Sequence, residues 1–524
     1  MIEQAATLER GVVRAWLRAG LVAAALGAAG FLGGHGVAAA ERPDRPGPDR
    51  GALRAGPAKP AATAPTRPAP RLAHRPSGSQ QAARLPDVRA ELSTSGPRIT
   101  ASAQLAVPPG PIQSAILGMQ AYVYGYPLLE FENFRSQAPG LNTLWSLTEF
   151  AEPSVMPIFR PNTDTLYSRA ALDLSGGPVV LSVPDMGDRY FSFQLNDPYT
   201  NVVDYLGTRA TGSGPGTYAI SWSGGPVVAV EGATTVTVPF RNMMLLGRTL
   251  AGDVTDQQLA VALMSDYRLT ATGVTGSPPA AVSAPAGLAA LDAISAAMEI
   301  NPPPTADSAQ LQAIARIGVG PGLRIADAGL APLSKAAADF GARLAAVLLP
   351  LLSNLNQYST AVLNRGWAAP PAAIGDYGTD YQLRAGVFYV GPWANTVDEA
   401  MYSAGLLDQN LQALTGSNTY LLRFAPGLEP PATAFWSVTV YDEAGYLVEN
   451  GANRYSVSNS RPEELVRRPD GSVDIIFAAQ DPADPAANWL PVPEGIFSAY
   501  LRIYLPQQAA LEGSWTPPPI ARLQ

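Results

Sequence analysis

The sequence contains no cysteine and, in 524 residues, only two histidines. Without cysteine there is no disulfide framework, no thiolate nucleophile and no thiolate metal centre. His35 and His74 both precede the part of the chain that reads as folded, so the body supplies neither a Ser-His-Asp triad nor a histidine zinc site. Lys59 and Lys335 are the only lysines, which nearly removes Ser-Lys and Schiff-base chemistry. Any catalysis is left to carboxylates, tyrosine, arginine, hydroxyls and backbone. Charge is sparse as well, at 15% of residues, and it is unevenly spread. Residues 101–524 hold 21 Lys/Arg against 36 Asp/Glu, a balance of −15, whereas residues 41–100 hold 11 against 5, a balance of +6. An acidic body repels phosphates, so no nucleic acid is expected as a partner.

Arg10, Arg14 and Arg18 precede an apolar run from Ala19 to Leu32, and Ala38-Ala39-Ala40 follows it. That order reads as an export signal over 1–40, cleaved before Glu41, with a periplasmic, cell-wall or extracellular destination. The run is shorter than the roughly 20 residues of a stable span, so membrane contact is expected only through this segment, and only if it is retained. Residues 41–108 contain no Phe, Tyr or Trp and are rich in Pro, Ala and Arg. Such a segment buries too little apolar surface to offset its ordering entropy and reads as a disordered stalk. At about 3.1 Å per residue where extended, its reach is on the order of 200 Å.

The body begins near Pro111. Ile112, Ile116, Met119, Val123 and Tyr126 recur at helical spacing, with Pro127 placed to break or kink the helix. From Asp164 to Phe240 short alternating and β-branched runs, divided by Gly and Pro-Asp turns, predict antiparallel strands. A helix is expected from a capping box at Thr255 and Gln258, and a buried helix pair over Leu333–Leu363 divided at Pro350. Strands resume with TYLLRFA, AFWSVTVYD, SVDIIFAAQ and FSAYLRIYLP. The fold class that follows is mixed and mainly β: two jelly-roll-like antiparallel β-sandwich domains with a helical insert between them. The expected boundaries are 109–250 for the N-terminal helix and β-domain, 251–410 for the helical region and 411–524 for the C-terminal β-domain.

The stretches AYVYGYPLLE, RPNTDTLYSRAALDLSGGPVVLSVPD and DRYFSFQLNDPYTN, with the later FWSVTVYDEAGYLVENGANRYSV, PDGSVDII, NWLPVPEGIF and LRIYLP, carry a resemblance. They resemble the paired bacterial family called domain of unknown function 1254 followed by domain of unknown function 1214, over about Pro111 to Gln524. The resemblance implies two jelly-roll-like β-domains flanking helices, usually in exported proteins, and no settled activity.

Polar residues collect at predicted strand ends. Asn162, Asp164 and Tyr167 form one group; Arg189, Asp197 and Tyr199 form another; Trp393, Asn395 and Arg454 are further ligand-binding candidates. Aromatic faces with amides and carboxylates suit a sugar or other small molecule. Glycoside hydrolysis needs two carboxyl groups, for which Asp164 and Asp197 are the first pair, at a separation of about 5–10 Å. The same oxygen-rich clusters suit calcium, and no other cofactor is implied. Each aspartate equally suits a local Asx-turn or a private ion pair. Three readings therefore stand: a carboxylate-dependent carbohydrate-active hydrolase or lyase, a non-catalytic glycan- or partner-binding envelope protein, and a lipid or small apolar molecule binder.

One measurement tests the export reading: N-terminal sequencing of the secreted chain is expected to begin at Glu41. A mature chain that begins at Met1 contradicts it.

Overall fold

The computed structural model describes residues 107–153, 159–273, 276–280 and 286–523. The expected export signal, and the expected stalk up to residue 106, lie outside the described residues.

Helix α1 (Pro111–Ser136) opens the body with Pro111 in its first turn, where a missing N–H costs nothing. It runs on through Pro127, contrary to the break expected there. Tyr124, Leu128, Leu129 and Phe131 are all buried around that proline, and this packing holds the helix together across the lost hydrogen bond. The first β-domain follows, with β1 (Trp145–Ser146), β2 (Thr165–Asp173), β3 (Val179–Val183), β4 (Phe191–Asn196), β5 (Val202–Gly207), β6 (Gly216–Trp222), β7 (Thr234–Val238) and β8 (Asn242–Leu250). Helix α2 (Val254–Met264) then leads to β9 (Arg268–Ala271). The strands form a five-stranded sheet, β1-β2-β8-β4-β5, and a four-stranded sheet, β7-β6-β3-β9. Pairs are antiparallel except β6 with β7. Between the sheets lie Leu166, Leu172, Leu181, Phe193, Ile220, Val238 and Leu245, the inward half of each alternation. The domain thus extends past residue 250, because β9 pairs with β3. The cap of α2 is Asp253, whose side chain accepts from the Asp256 amide, rather than Thr255.

Helices α3 (Leu288–Ile300), α4 (Ser308–Ala315) and α5 (Pro332–Leu363) pack with α1 around Leu117, Ala121, Leu291, Ile294, Ile314, Ala338 and Ala342. The expected pair over Leu333–Leu363 is one continuous helix, α5, with Pro350 inside it. Short β10 (Trp367–Ala368) and helix α6 (Tyr381–Val390) precede the second β-domain. Its strands are β11 (Ala400–Gly405), β12 (Tyr420–Phe424), β13 (Ala432–Asp442), β14 (Ser456–Ser458), β15 (Val473–Ala478), β16 (Asn488–Pro491) and β17 (Phe497–Pro506), with helix α7 (Gln508–Leu511) and β18 (Ala521–Arg522) after them. Again one sheet has five strands, β10-β11-β17-β13-β14, and one has four, β16-β15-β12-β18. Strands β10 and β11 enter this domain ahead of residue 411 because they extend the five-stranded sheet. Leu422, Trp436, Val438, Ile475, Leu490 and Leu501 fill the space between the two sheets. Phe435 and Trp436 are both buried, on opposite faces of β13: Trp436 in the sandwich core, Phe435 toward the other domain.

Helices α1 and α5 cross where Gly118 meets Ala338 and Gly341 meets Ala115. A Cβ on Gly341 would lie 1.9 Å from the Ala115 carbonyl oxygen, and one on Gly118 would lie 2.3 Å from that of Ala338. Gly341→Ala is therefore expected to force the helices apart, to cost about 1–3 kcal/mol and to lower the melting temperature by several degrees. An unchanged thermal scan contradicts the close crossing.

Candidate functional site

The outward faces of the two five-stranded sheets meet. From the first come Tyr167 on β2, Gln194 on β4 and Arg248 on β8; from the second come Tyr402 on β11, Arg502 and Tyr504 on β17, and Phe435 and Tyr441 on β13. Strand periodicity puts these residues opposite the hydrophobic cores, so two polar and aromatic faces are enclosed together. Tyr504 stacks on Phe435 at 4.3 Å and lies edge-on to Tyr190 at 5.3 Å, which joins the domains. The segment after α6 adds Trp393 and Asn395. Trp393 has φ +59°, an uncommon conformation for a bulky residue, and its ring lies edge-on to Phe388, Phe134 and Phe131 at 5.0, 5.9 and 6.2 Å.

Arg248 is the centre of this cleft. Its guanidinium donates to Gln194 Oε1 at 2.6 Å, Asn395 Oδ1 at 3.0 Å and the Trp393 carbonyl at 2.9 Å, and the Tyr167 ring lies 5.8 Å away. Arg502 donates to Thr439 Oγ1 at 2.9 Å, the Tyr441 hydroxyl at 2.5 Å and the Arg160 carbonyl at 3.3 Å. Both are buried, and neither has a carboxylate within ion-pairing distance among the described residues. Burial opposes the charge of each. Surrounding phenol oxygens outweigh it, Tyr402 first for Arg248 and Tyr441 first for Arg502, so both guanidiniums stay protonated. Burial in turn raises the phenols of Tyr402 and Tyr504, so these remain neutral O–H groups. Toward the edge of β2, Arg169 lies 5.5 Å from the Trp145 ring, and its Nε makes no hydrogen bond. Tyr167, Arg169, Trp145, Trp393 and Tyr402 all keep partial solvent exposure. Glu399 is the nearby carboxylate, and it already accepts from Tyr190 at 2.7 Å and Arg209 at 2.6 Å.

Four expected site residues, Asn162, Tyr167, Trp393 and Asn395, are gathered here. Asn162 donates to the Tyr504 hydroxyl at 2.6 Å, and Asn395 donates to that of Tyr402 at 2.6 Å. The others lie elsewhere. Asp164 is wholly buried and faces the second domain, 3.4 Å from Arg461 and 3.4 Å from the Ser456 hydroxyl. Arg189 forms a forked ion pair with Asp256. Arg454 donates to the Trp489 carbonyl in a loop of the second domain. Tyr199 donates to the Asn301 carbonyl in the helical layer. Asp197 closes an Asx-turn, accepting from the amides of Tyr199 at 2.8 Å and Asn201 at 2.9 Å and from the Asn201 side chain at 2.9 Å.

The expected catalytic pair is therefore corrected. On β8, Thr165 pairs with Leu250 and Asn196 with Met244, six residues away. At about 3.4 Å per residue, Asp164 and Asp197 sit at opposite ends of the sheet, roughly 20 Å apart, twice the reach of a glycosidase carboxylate pair. Among the described residues no three acidic or histidine side chains gather as a metal cage, so the calcium expectation finds no carboxylate set there. Arg248, Arg502, Gln194, Tyr402 and Tyr504 escaped the sequence reading. The signal for them was a lone arginine inside an apolar strand, in NMMLLGRTL and in FSAYLRIYLP.

Burial pushes the Asp197 carboxyl up to about 6 in spite of the bonds it accepts. The unfolded chain releases this proton near pH 4, so the group's stabilisation is full below that value and is lost as pH rises toward 6. Thermal scans of the native chain and of Asp197→Asn are expected to diverge across this window, by about 2–3 kcal/mol, with the native chain losing stability as pH rises. Parallel curves contradict the shift.

Two family models match the chain: Protein of unknown function (DUF1254) at residues 141–271 and Protein of unknown function (DUF1214) at residues 399–508. The crystal structure of the VPA0106 protein from Vibrio parahaemolyticus is similar, with a TM-score of 0.59 and 24% identity over 78% of this chain and 100% of that one. An uncharacterized protein from Burkholderia cenocepacia aligns with a TM-score of 0.38 and 15% identity over 76% of this chain and 92% of that one. No curated protein matches the chain.

Proposed function

From the premise that the chain joins a DUF1254 segment to a DUF1214 segment, the paired family that its sequence resembles, we propose that it is an exported binding protein for a small organic carboxylate. The ligand would be held in the cleft between the two five-stranded sheets. The observation that carries this reading is Arg248, a buried guanidinium with only neutral partners, beside the hydroxyl of Tyr167 and the incompletely bonded Arg169. A buried cation without a counter-charge is costly, and a carboxylate that accepts from guanidinium and phenol removes that cost. Phe134, Trp145 and Trp393 supply an aromatic wall for the ligand's apolar body. The reading asks for binding and not for turnover. The carboxylate-dependent glycosidase reading loses its support, because Glu399 is occupied by Tyr190 and Arg209 and the two aspartates lie apart.

The test is a thermal-shift and calorimetry panel of benzoate, octanoate and neutral methyl glucoside. A carboxylate at a hundred times its Kd adds about 2.7 kcal/mol to stability, a shift of several degrees, while methyl glucoside should add nothing. Arg248→Met is expected to weaken carboxylate binding at least tenfold and Tyr167→Phe several-fold, and Arg189→Met should leave it unchanged. A shift with glucoside alone moves the assignment to a glycan. No shift with any of the three overturns the cleft as a ligand site.

A further inference from the structure

Helix α5 carries its large apolar residues on the side that faces away from the protein. Phe340, Val347, Leu351, Leu355, Tyr358 and Val362 recur at intervals of three, four or seven, which sets them in one stripe at 3.6 residues per turn. Phe340 is 60% exposed and Val347 68%; Leu355, Tyr358 and Val362 are also exposed. The buried residues of the same helix are small, among them Ser334, Ala338, Gly341, Ala342 and Ala345, and they pack against α1. This is the reverse of a helix on a water-facing surface, where the outward positions carry charge. Between Arg343 and Arg365 there is no ionisable side chain except the Tyr358 phenol. The stripe from Phe340 to Val362 is about 33 Å long at 1.5 Å per residue.

We infer that this stripe seats the protein on the surface of an anionic phospholipid bilayer. Among the described residues α5 is the one helix long and apolar enough to cross a membrane, yet its small-residue face is held by α1, so it lies along the boundary and does not pass through. Two further observations select lipid as the occupant. The sequence that leads into α1, residues 41–100, carries 11 Lys/Arg against 5 Asp/Glu, and a basic segment beside an apolar face is the combination that holds a peripheral protein on acidic headgroups. Helix α1 itself begins with exposed Ile112 and Ile116 and crosses α5 at Ala338 and Gly341, so the basic segment joins the body beside the stripe. Pairing with a second copy through this face would bring two such +6 segments to one interface.

The absence of cysteine makes the test clean. Val347→Cys and, as control, exposed Glu231→Cys are each labelled with an environment-sensitive fluorophore in the full chain and titrated with vesicles of phosphatidylglycerol and phosphatidylcholine, or of phosphatidylcholine alone. The Val347 label is expected to shift to the blue and brighten several-fold, to be quenched by nitroxide-bearing lipid, and to respond at tenfold less lipid when phosphatidylglycerol is present. The Glu231 label should not change. Equal responses at the two positions, no response at Val347, or equal titration by the two vesicle types overturns the proposal. So does brightening of the Val347 label without lipid that grows with protein concentration, which would identify a second copy as the occupant.

Discussion

A guanidinium removed from solvent must find acceptors on several sides, and that of Arg248 finds them in three separate parts of the chain. Gln194 comes from the neighbouring strand of its own sheet. The Trp393 carbonyl and Asn395 come from the segment that follows the helical layer, and Asn395 reaches on to Tyr402 of the second domain. Loss of any one of these acceptors would leave a buried donor unpaired. The helical layer, the connecting segment and the two sandwiches are thus fixed relative to one another by the needs of one cation. The left-handed backbone at Trp393 is consistent with this, since the turn that presents its carbonyl to Arg248 is the one that places its ring among Phe131, Phe134 and Phe388.

The second domain answers with a similar device. Arg502 takes the Pro161 and Arg160 carbonyls from the chain just ahead of β2, and Tyr441 donates to the same Pro161 carbonyl. Asn162 and Asp164, which follow directly, then meet Tyr504, Ser456 and Arg461. The stretch read from sequence as a polar cluster that opens a strand is a docking strap between domains. Its carboxylate serves that contact rather than chemistry.

The two β-domains were legible because half-buried strands alternate, and runs such as TYLLRFA and AFWSVTVYD have few other ways to bury their side chains. The prolines misled in both long helices, since Pro127 and Pro350 break helices only where tertiary packing does not hold both flanks. Hydrophobicity also misled over 333–363: it marks a helix, but it does not say which face turns inward, and here the small residues do. Asn162, Tyr167, Trp393 and Asn395 were legible as polar or aromatic residues at the ends or junctions of elements. Arg248 and Arg502 were not, because an arginine inside an apolar strand is unremarkable until another sheet is known to cover it. The aspartates were overread, since an Asx residue ahead of a strand most often bonds its own backbone, as Asp197 does.

The cleft takes one wall from residues 141–271, the other from residues 399–508, and its end from residues 393–395, which belong to neither matched segment. Neither half presents a complete set of donors by itself, and separation would lay a polar, aromatic sheet face open to water. Selection on such a site acts on both halves and on the short connector at once. Recombination that exchanges one half between lineages carries a mismatch at Arg248 or Tyr504 into the offspring, so the two halves are constrained to descend together as a single heritable unit.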